Sequence, residues 1–199
     1  MDENKHLIVT AVQETSWIRA LNAARRTVGK APLTKEPSRS WKLSMLLAEH
    51  SPIRLVEYDV VIRNIRQWVT THLVRHKYGV EHFVHTQRED RNNTIHNRDE
   101  LPQGSLNDMQ DCVNAQALIN ISRKRLCNLA SPETREVWRK VKDAVAISDP
   151  EMAACMVPEC VYRGFCPELH SCGYAKTADY LETLKQYRKP CEDQNLSLP

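Results

Sequence analysis

The chain has 199 residues, a one-domain length, and its 41% hydrophobic and 27% charged residues are enough to build a core. Twenty-eight basic against 25 acidic side chains leave a net charge of +3, too mild to require nucleic acid as a partner but open to an anionic small molecule. Only five glycines occur, none spaced for a dinucleotide-binding or P-loop fingerprint, so any bound nucleotide must be held by side chains.

Residues 7–12 read as a strand. Thr15 or Ser16 then caps a helix over 17–27, whose Ile18, Leu21 and Ala24 share a face. A loop over 30–40 carries Pro32 and Pro37, and a helix over 41–50 ends at Ser51-Pro52. Residues 55–62 are β-branched and aromatic, which predicts a strand. The spacing of Ile65, Trp68, Val69 and Leu73 predicts a helix over 64–75. Residues 78–86 read as extended and 88–104 as a polar loop. Ser105 opens a long helix to about 129, and Ser131-Pro132-Glu133 starts another to about 147. The tail holds five of the seven cysteines and a last helix near 179–188. Two or three strands among five or six helices make the class α+β, a small mainly antiparallel sheet with several long helices. Residues 1–148 form the main domain, and 149–199 a cysteine-rich tail packed on it.

Positive and hydrogen-bonding side chains concentrate between His72 and Arg88, where a helix runs into a strand. Consecutive Arg75, His76 and Lys77 splay outward and suit several phosphate oxygens of one ligand, with Arg88 returning from beyond the strand. A solvated basic turn is the plain alternative. Another takes His72 with His76, or His82 with His85, as zinc ligands.

These residues resemble the flavin-dependent thymidylate synthases. That family's R-H-R, seven residues, then Ser is echoed by Arg75-His76-Lys77, seven residues, then His85-Thr86-Gln87-Arg88. His50-Ser51-Pro52 resembles its H-x-[ST]-P element. A second block agrees in order and spacing: Arg98-x-x-x-Pro102, then twelve residues on Asn114-Ala115-Gln116-Ala117-Leu118, then Arg125. Ala130-Ser131-Pro132-Glu133-Thr134-Arg135 resembles the A-Q-x-E-I-R that follows.

The resemblance implies an enzyme that methylates deoxyuridylate to thymidylate with methylenetetrahydrofolate and NADPH, bound FAD supplying the hydride chemistry. It implies Arg125 as the catalytic arginine against the uracil ring, with His72, Arg75, Thr86, Arg88 and Arg98 also binding the nucleotide. It further implies Ser51, Arg75, His76, Lys77, Asn114 and Asn120 at the flavin, and a homotetramer with shared active sites. Sharing matters because successive steps from Asn114 to Asn120 to Arg125 turn a helix by about 600° and 500°, which is no single stripe. Gln116 and Lys77 stand where the family has arginines. That keeps open a divergent enzyme delivering another one-carbon group, such as hydroxymethyl, and a relative without activity.

The N-terminus carries two acids and no long apolar stretch, and no uncharged apolar run approaches the ~20 residues of a membrane span. A cytoplasmic protein with reduced thiols is the expectation. Cys155, Cys160, Cys166 and Cys172, separated by turn residues, are a candidate zinc set, against free, partly buried thiols. A zinc-stabilised nucleic-acid-binding protein is the rival reading, and the 6% aromatic content weighs against it because single-strand platforms need stacking rings.

Overall fold

Four stretches of alternating exposure form one antiparallel sheet in the computed structural model, which describes residues 6–92 and 97–193. The strands are β1 (Ile8–Gln13), β2 (Glu57–Arg66), β3 (Val80–Val84) and β4 (Leu106–Asn114), in spatial order β1-β2-β4-β3. The central pair runs from Glu57 opposite Asn114 to Arg66 opposite Leu106. Its register shifts between Ile62 and Ile65, where Asn64 adopts a φ of 60°. Asparagine tolerates that conformation. Here its backbone N–H donates to Asp108 Oδ1 and its side-chain amide to the His6 carbonyl.

The helices are α1 (Trp17–Thr27), α2 (Arg39–Leu47), α3 (Gln67–Leu73), α4 (Glu89–Asn92), α5 (Ala115–Arg125), α6 (Pro132–Ser148), α7 (Pro150–Cys155), α8 (Glu159–Arg163) and α9 (Ala178–Asp193). Ser16 is the cap that starts α1, its Oγ accepting from the Ile18 N–H, and Ser131 likewise caps α6. A 3-10 turn, Ser51–Leu55, links α2 to β2.

The α+β class stands, with four strands among the described residues rather than two or three. The main departure is the helix expected from Ser105, because Leu106–Asn114 is a strand and α5 begins only at Ala115. Along that strand Asn107, Met109, Asp111 and Val113 are buried at every second position, but two of them are polar, which hides the alternation. The helix expected over 64–75 starts later, at Gln67, since β2 continues past its bulge. The tail holds two further short helices, α7 and α8, and a longer last one than the sequence suggested.

Trp17, Tyr58, Trp138, Ile53, Ile62 and Leu118 lie in the main core, with α6 packed on β1. One buried carboxylate organises it. Asp149 Oδ2 accepts from Trp17 Nε1 at 2.6 Å and from the Tyr58 hydroxyl at 2.7 Å, while its Oδ1 accepts from the Met152 N–H and caps α7. Burial, then the Asp149 charge, pushes the Tyr58 hydroxyl well above its ordinary value, so it remains a donor. Tail residues Val157, Cys160, Val161 and Tyr180 form a second, smaller cluster. Among the described residues no helix is long and apolar enough to cross a membrane.

Asp149→Ala leaves an indole N–H and a phenol without their acceptor in the core, at an expected cost of about 3 kcal/mol. Urea unfolding measures it, and Asp149→Asn, which keeps one acceptor oxygen, should lose less. Equal midpoints for Asp149→Ala and the natural chain would deny the network this role.

Candidate functional site

The turn that leaves α3 carries Arg75, His76, Lys77, Tyr78 and Gly79 before β3 begins. It is tied down at both ends. The His76 N–H donates to the Leu73 carbonyl at 3.0 Å, and the Asn114 N–H to the Gly79 carbonyl at 2.9 Å. Gly79 has a φ of 74°, and a Cβ there would lie 2.6 Å from Asn114 Nδ2. Asn114 is itself fixed, because its Oδ1 accepts from the Ala117 N–H and caps α5.

The last turn of α5 reaches back to this segment through Arg125. Its Nε donates to His76 Nε2 at 2.8 Å, and its Nη2 to the His72 carbonyl at 2.5 Å. An acceptor role for Nε2 requires a neutral His76, and burial followed by the charges of Arg125 and His82 lowers that imidazole to about 4. His72 is lowered too, first by burial and then by Arg125 and Arg75. Its Nδ1 lies 2.9 Å from Thr134 Oγ1, and its ring stands edge-on to Trp68 at 5.6 Å. Burial, then the like charge of Arg75, also lowers Arg125. Two guanidinium groups therefore press on each other and on two imidazoles. Neither Arg75, Lys77 nor Arg125 has a carboxylate ion-pair partner among the described residues. An anion is what such a cluster takes.

His72, Arg75, His76 and Arg125 thus come together in one chain, with Lys77 exposed on the same turn and Asn114 at its foot. The remaining candidates lie elsewhere. Thr86 and Arg88 follow the far end of β3, where Thr86 Oγ1 accepts from the Arg88 N–H and Asp90 binds the Arg88 guanidinium through both oxygens. Arg98 joins Arg88 in lining an open cleft of about 610 Å³. Six residue steps lead from Val80, beside the turn, to Thr86, about 20 Å at strand rise, so this cleft opens at the other end of β3. Asn120 sits on a different face of α5, its Oδ1 accepting from Gln116 and Arg123. Ser51 is exposed at the start of the 3-10 turn, two residues past Glu49, whose carboxylate binds Gln116 and Arg123.

The histidine pairs weighed as zinc ligands are otherwise engaged: His72 with Thr134, His76 with Arg125, His82 with Asp111. The cysteine set does not assemble either. Cys155 is buried in the main core, whereas Cys160 belongs to the second cluster, where burial pushes its thiol up to about 11. Among the described residues no three or more His, Cys, Asp or Glu side chains gather so as to hold a metal ion.

The sequence did not single out Asp111 or the role of His82. His82 Nδ1 lies 2.7 Å from Asp111 Oδ1, and its Nε2 donates to the His76 carbonyl at 2.7 Å. The available signal was an aspartate on the buried register of a strand, which only an unhidden alternation in β4 would have exposed.

No family model and no curated protein matches the sequence. Among solved structures, the fold is similar to that of a UMP/dUMP methylase, PolB, from Streptomyces cacaoi, crystallised with 5-Br dUMP. The TM-score is 0.58 and the identity 13%, over 81% of this chain and 96% of that one. At that identity the likeness establishes the fold.

The donor set fits a flavin dinucleotide in its chemistry. Arg75 and Lys77 offer two exposed cations on one turn, as a pyrophosphate needs where glycine-lined backbone is lacking.

Two outcomes check this geometry. A His76 folded-state value of about 4, below the unfolded 6.5, contributes stability that is present above pH 6.5 and lost as pH falls through about 4. The natural chain should therefore lose urea stability relative to His76→Gln, which still accepts from Arg125, over that window, and parallel profiles would contradict a neutral His76. Gly79→Ala must strain a left-handed turn and displace the cap of α5, costing about 1–3 kcal/mol. Full stability in that variant would show that the turn and the cap are not coupled.

Proposed function

We propose that this chain is a flavin-dependent pyrimidine-nucleotide one-carbon transferase, methylating deoxyuridylate to thymidylate with methylenetetrahydrofolate and NADPH. The observation that carries the reading is the half-buried Arg125 beside the exposed Arg75, like charges held near each other and near neutral imidazoles without a carboxylate. A monophosphate relieves that repulsion. The likeness in fold to a methylase whose crystals hold a brominated deoxyuridylate supports a pyrimidine monophosphate over other anions.

In this reading Arg75 binds the phosphate bidentately, with His72 beside it. Arg125 has two of its nitrogens committed to His76 and the His72 carbonyl, so its remaining edge is aimed rather than free to wander. Directed at the uracil carbonyls, that fixed charge stabilises the anionic character of the ring as C5 becomes nucleophilic. A charge oriented beforehand costs little reorganisation when the reaction occurs. Lys77, Ser51, Asn114 and Asn120 are the flavin-side residues, and the bound flavin supplies the hydride that the protein's own side chains lack. Thr86, Arg88 and Arg98 complete the nucleotide site from a neighbouring subunit of a homotetramer.

The test is a spectrum of the purified chain with and without added FAD and deoxyuridylate, followed by turnover with methylenetetrahydrofolate and NADPH. Flavin uptake and a product heavier by a methyl group are the expected results. A product heavier by a hydroxymethyl group would change the group delivered, and absence of both flavin and deoxyuridylate binding would end the reading. Arg125→Ala should lower kcat by about 10²-fold or more while leaving the assembly folded. Unimpaired turnover in that variant would remove Arg125 from the chemistry.

A further inference from the structure

His82 is nearly enclosed between two acceptors. Its side chain is 11% exposed and that of its partner Asp111 is 2% exposed. Nε2 faces the His76 carbonyl, which can only accept, so Nε2 carries a hydrogen. Nδ1 faces the Asp111 carboxylate, which when ionised also only accepts. Both contacts are satisfied together by the imidazolium and an ionised aspartate. A neutral ring loses one of the two.

The surroundings agree. The Asp111 hydrogen bond raises His82 above its ordinary value, burial opposes it, and the His76 carbonyl, Asp111 and Glu81 add to the rise. Burial pushes Asp111 up, His82 pulls it down, and Asp59 on β2 pushes it up further. On the other side stand His76, kept neutral, and Arg125 from α5 behind it. The charged groups around His82 are thus Asp111 on β4, Asp59 on β2, Glu81 on its own strand and Arg125 on α5.

What His82 grips is the peptide between His76 and Lys77, the centre of the cationic turn. The same His76 side chain receives Arg125. One residue therefore joins a buried strand, the turn and the catalytic arginine of the proposed mechanism.

We infer that His82 is a positioning residue: donating from both ring nitrogens, it locks the Arg75–Lys77 turn onto β4, and loss of its proton releases that lock and with it the anion site. Its effect on nucleotide affinity rests on the function proposed above, whereas the lock itself does not.

The experiment uses the intact chain with 15N-labelled histidine. NMR should find both His82 nitrogens protonated at neutral pH and deprotonating above the ordinary histidine value of about 6.5. The protection factor of the His76 amide should fall over the same titration. Deoxyuridylate affinity is then measured by calorimetry on both sides of that midpoint, with His82→Gln as the reference for the phosphate's own titration. The expected result is a loss of about tenfold as His82 deprotonates. His82→Gln should bind about tenfold more weakly with no dependence on pH beyond the phosphate's own. Asp111→Asn keeps the imidazole but removes the charge that holds its proton, so the midpoint of both titrations should move down. A merely structural role would leave the His76 amide and the affinity without a midpoint that follows His82.

The inference is overturned if His82 deprotonates at or below the ordinary value, or if His82→Gln keeps the affinity and pH profile of the natural chain. If the natural chain binds no deoxyuridylate, the functional reading fails instead. The lock is then judged on the NMR titration, and a His76 amide indifferent to the state of His82 would refute it.

Discussion

Arg125 ties the end of one helix to the turn after another, and the cationic cluster depends on that tie. A guanidinium half-withdrawn from water beside a second guanidinium is an unfavourable arrangement, since burial and like charge both oppose it. It persists because two of its nitrogens are spent on neutral acceptors, an imidazole and a carbonyl, rather than on a carboxylate. A carboxylate partner would have relieved the repulsion and filled the place of a ligand anion. Neutral partners orient the charge without cancelling it. This is how a protein holds positive potential ready for use.

The supports of that tie are themselves polar and deeply placed. Asp111 and Asn107 occupy core-facing positions of β4, and each is satisfied. Asp111 meets His82, while Asn107 donates to Gln67 Oε1 and the His85 carbonyl. Burying such groups stabilises little on balance, because desolvation offsets most of what their hydrogen bonds return. An apolar strand would serve the core better. Polar groups on this register fix the two ends of β3, one at the His76 turn and one at His85, and a sheet that must present side chains at both ends has use for that.

The same choice explains what could be read in advance. β1, α1 and α6 were legible because their apolar periodicity is intact and Ser16 and Ser131 cap the helices as expected. His72, Arg75, His76 and Arg125 were singled out through the family resemblance, although Arg125 lies about fifty positions from the other three. β4 was not. Its two buried polar residues break the period-two pattern, and Ser105 resembles a helix cap when read locally. Because β4 was misread, the partner of His82 stayed hidden, since only the strand register places Asp111 opposite it. The bulge at Asn64 depends likewise on Asp108 from the neighbouring strand. Local sequence carries propensity, but cross-strand satisfaction belongs to the folded sheet.

The distribution of the remaining candidates bears on how a complete site would be built. Arg88 and Arg98 lie beyond the end of β3 that is far from the turn Arg125 grips, and α5 presents Arg125 on one face but Asn120, Gln116 and Arg123 on another. Gln116 and Arg123 converge on Glu49, so that second face is already neutralised by a carboxylate, unlike the first. A single protomer thus carries an unneutralised cationic cluster at one end of β3 and a separate arginine-lined cleft at the other. The proposed function sets the cleft of a neighbouring subunit against the cluster. Under the proposed function that arrangement supplies each nucleotide with arginines from two chains.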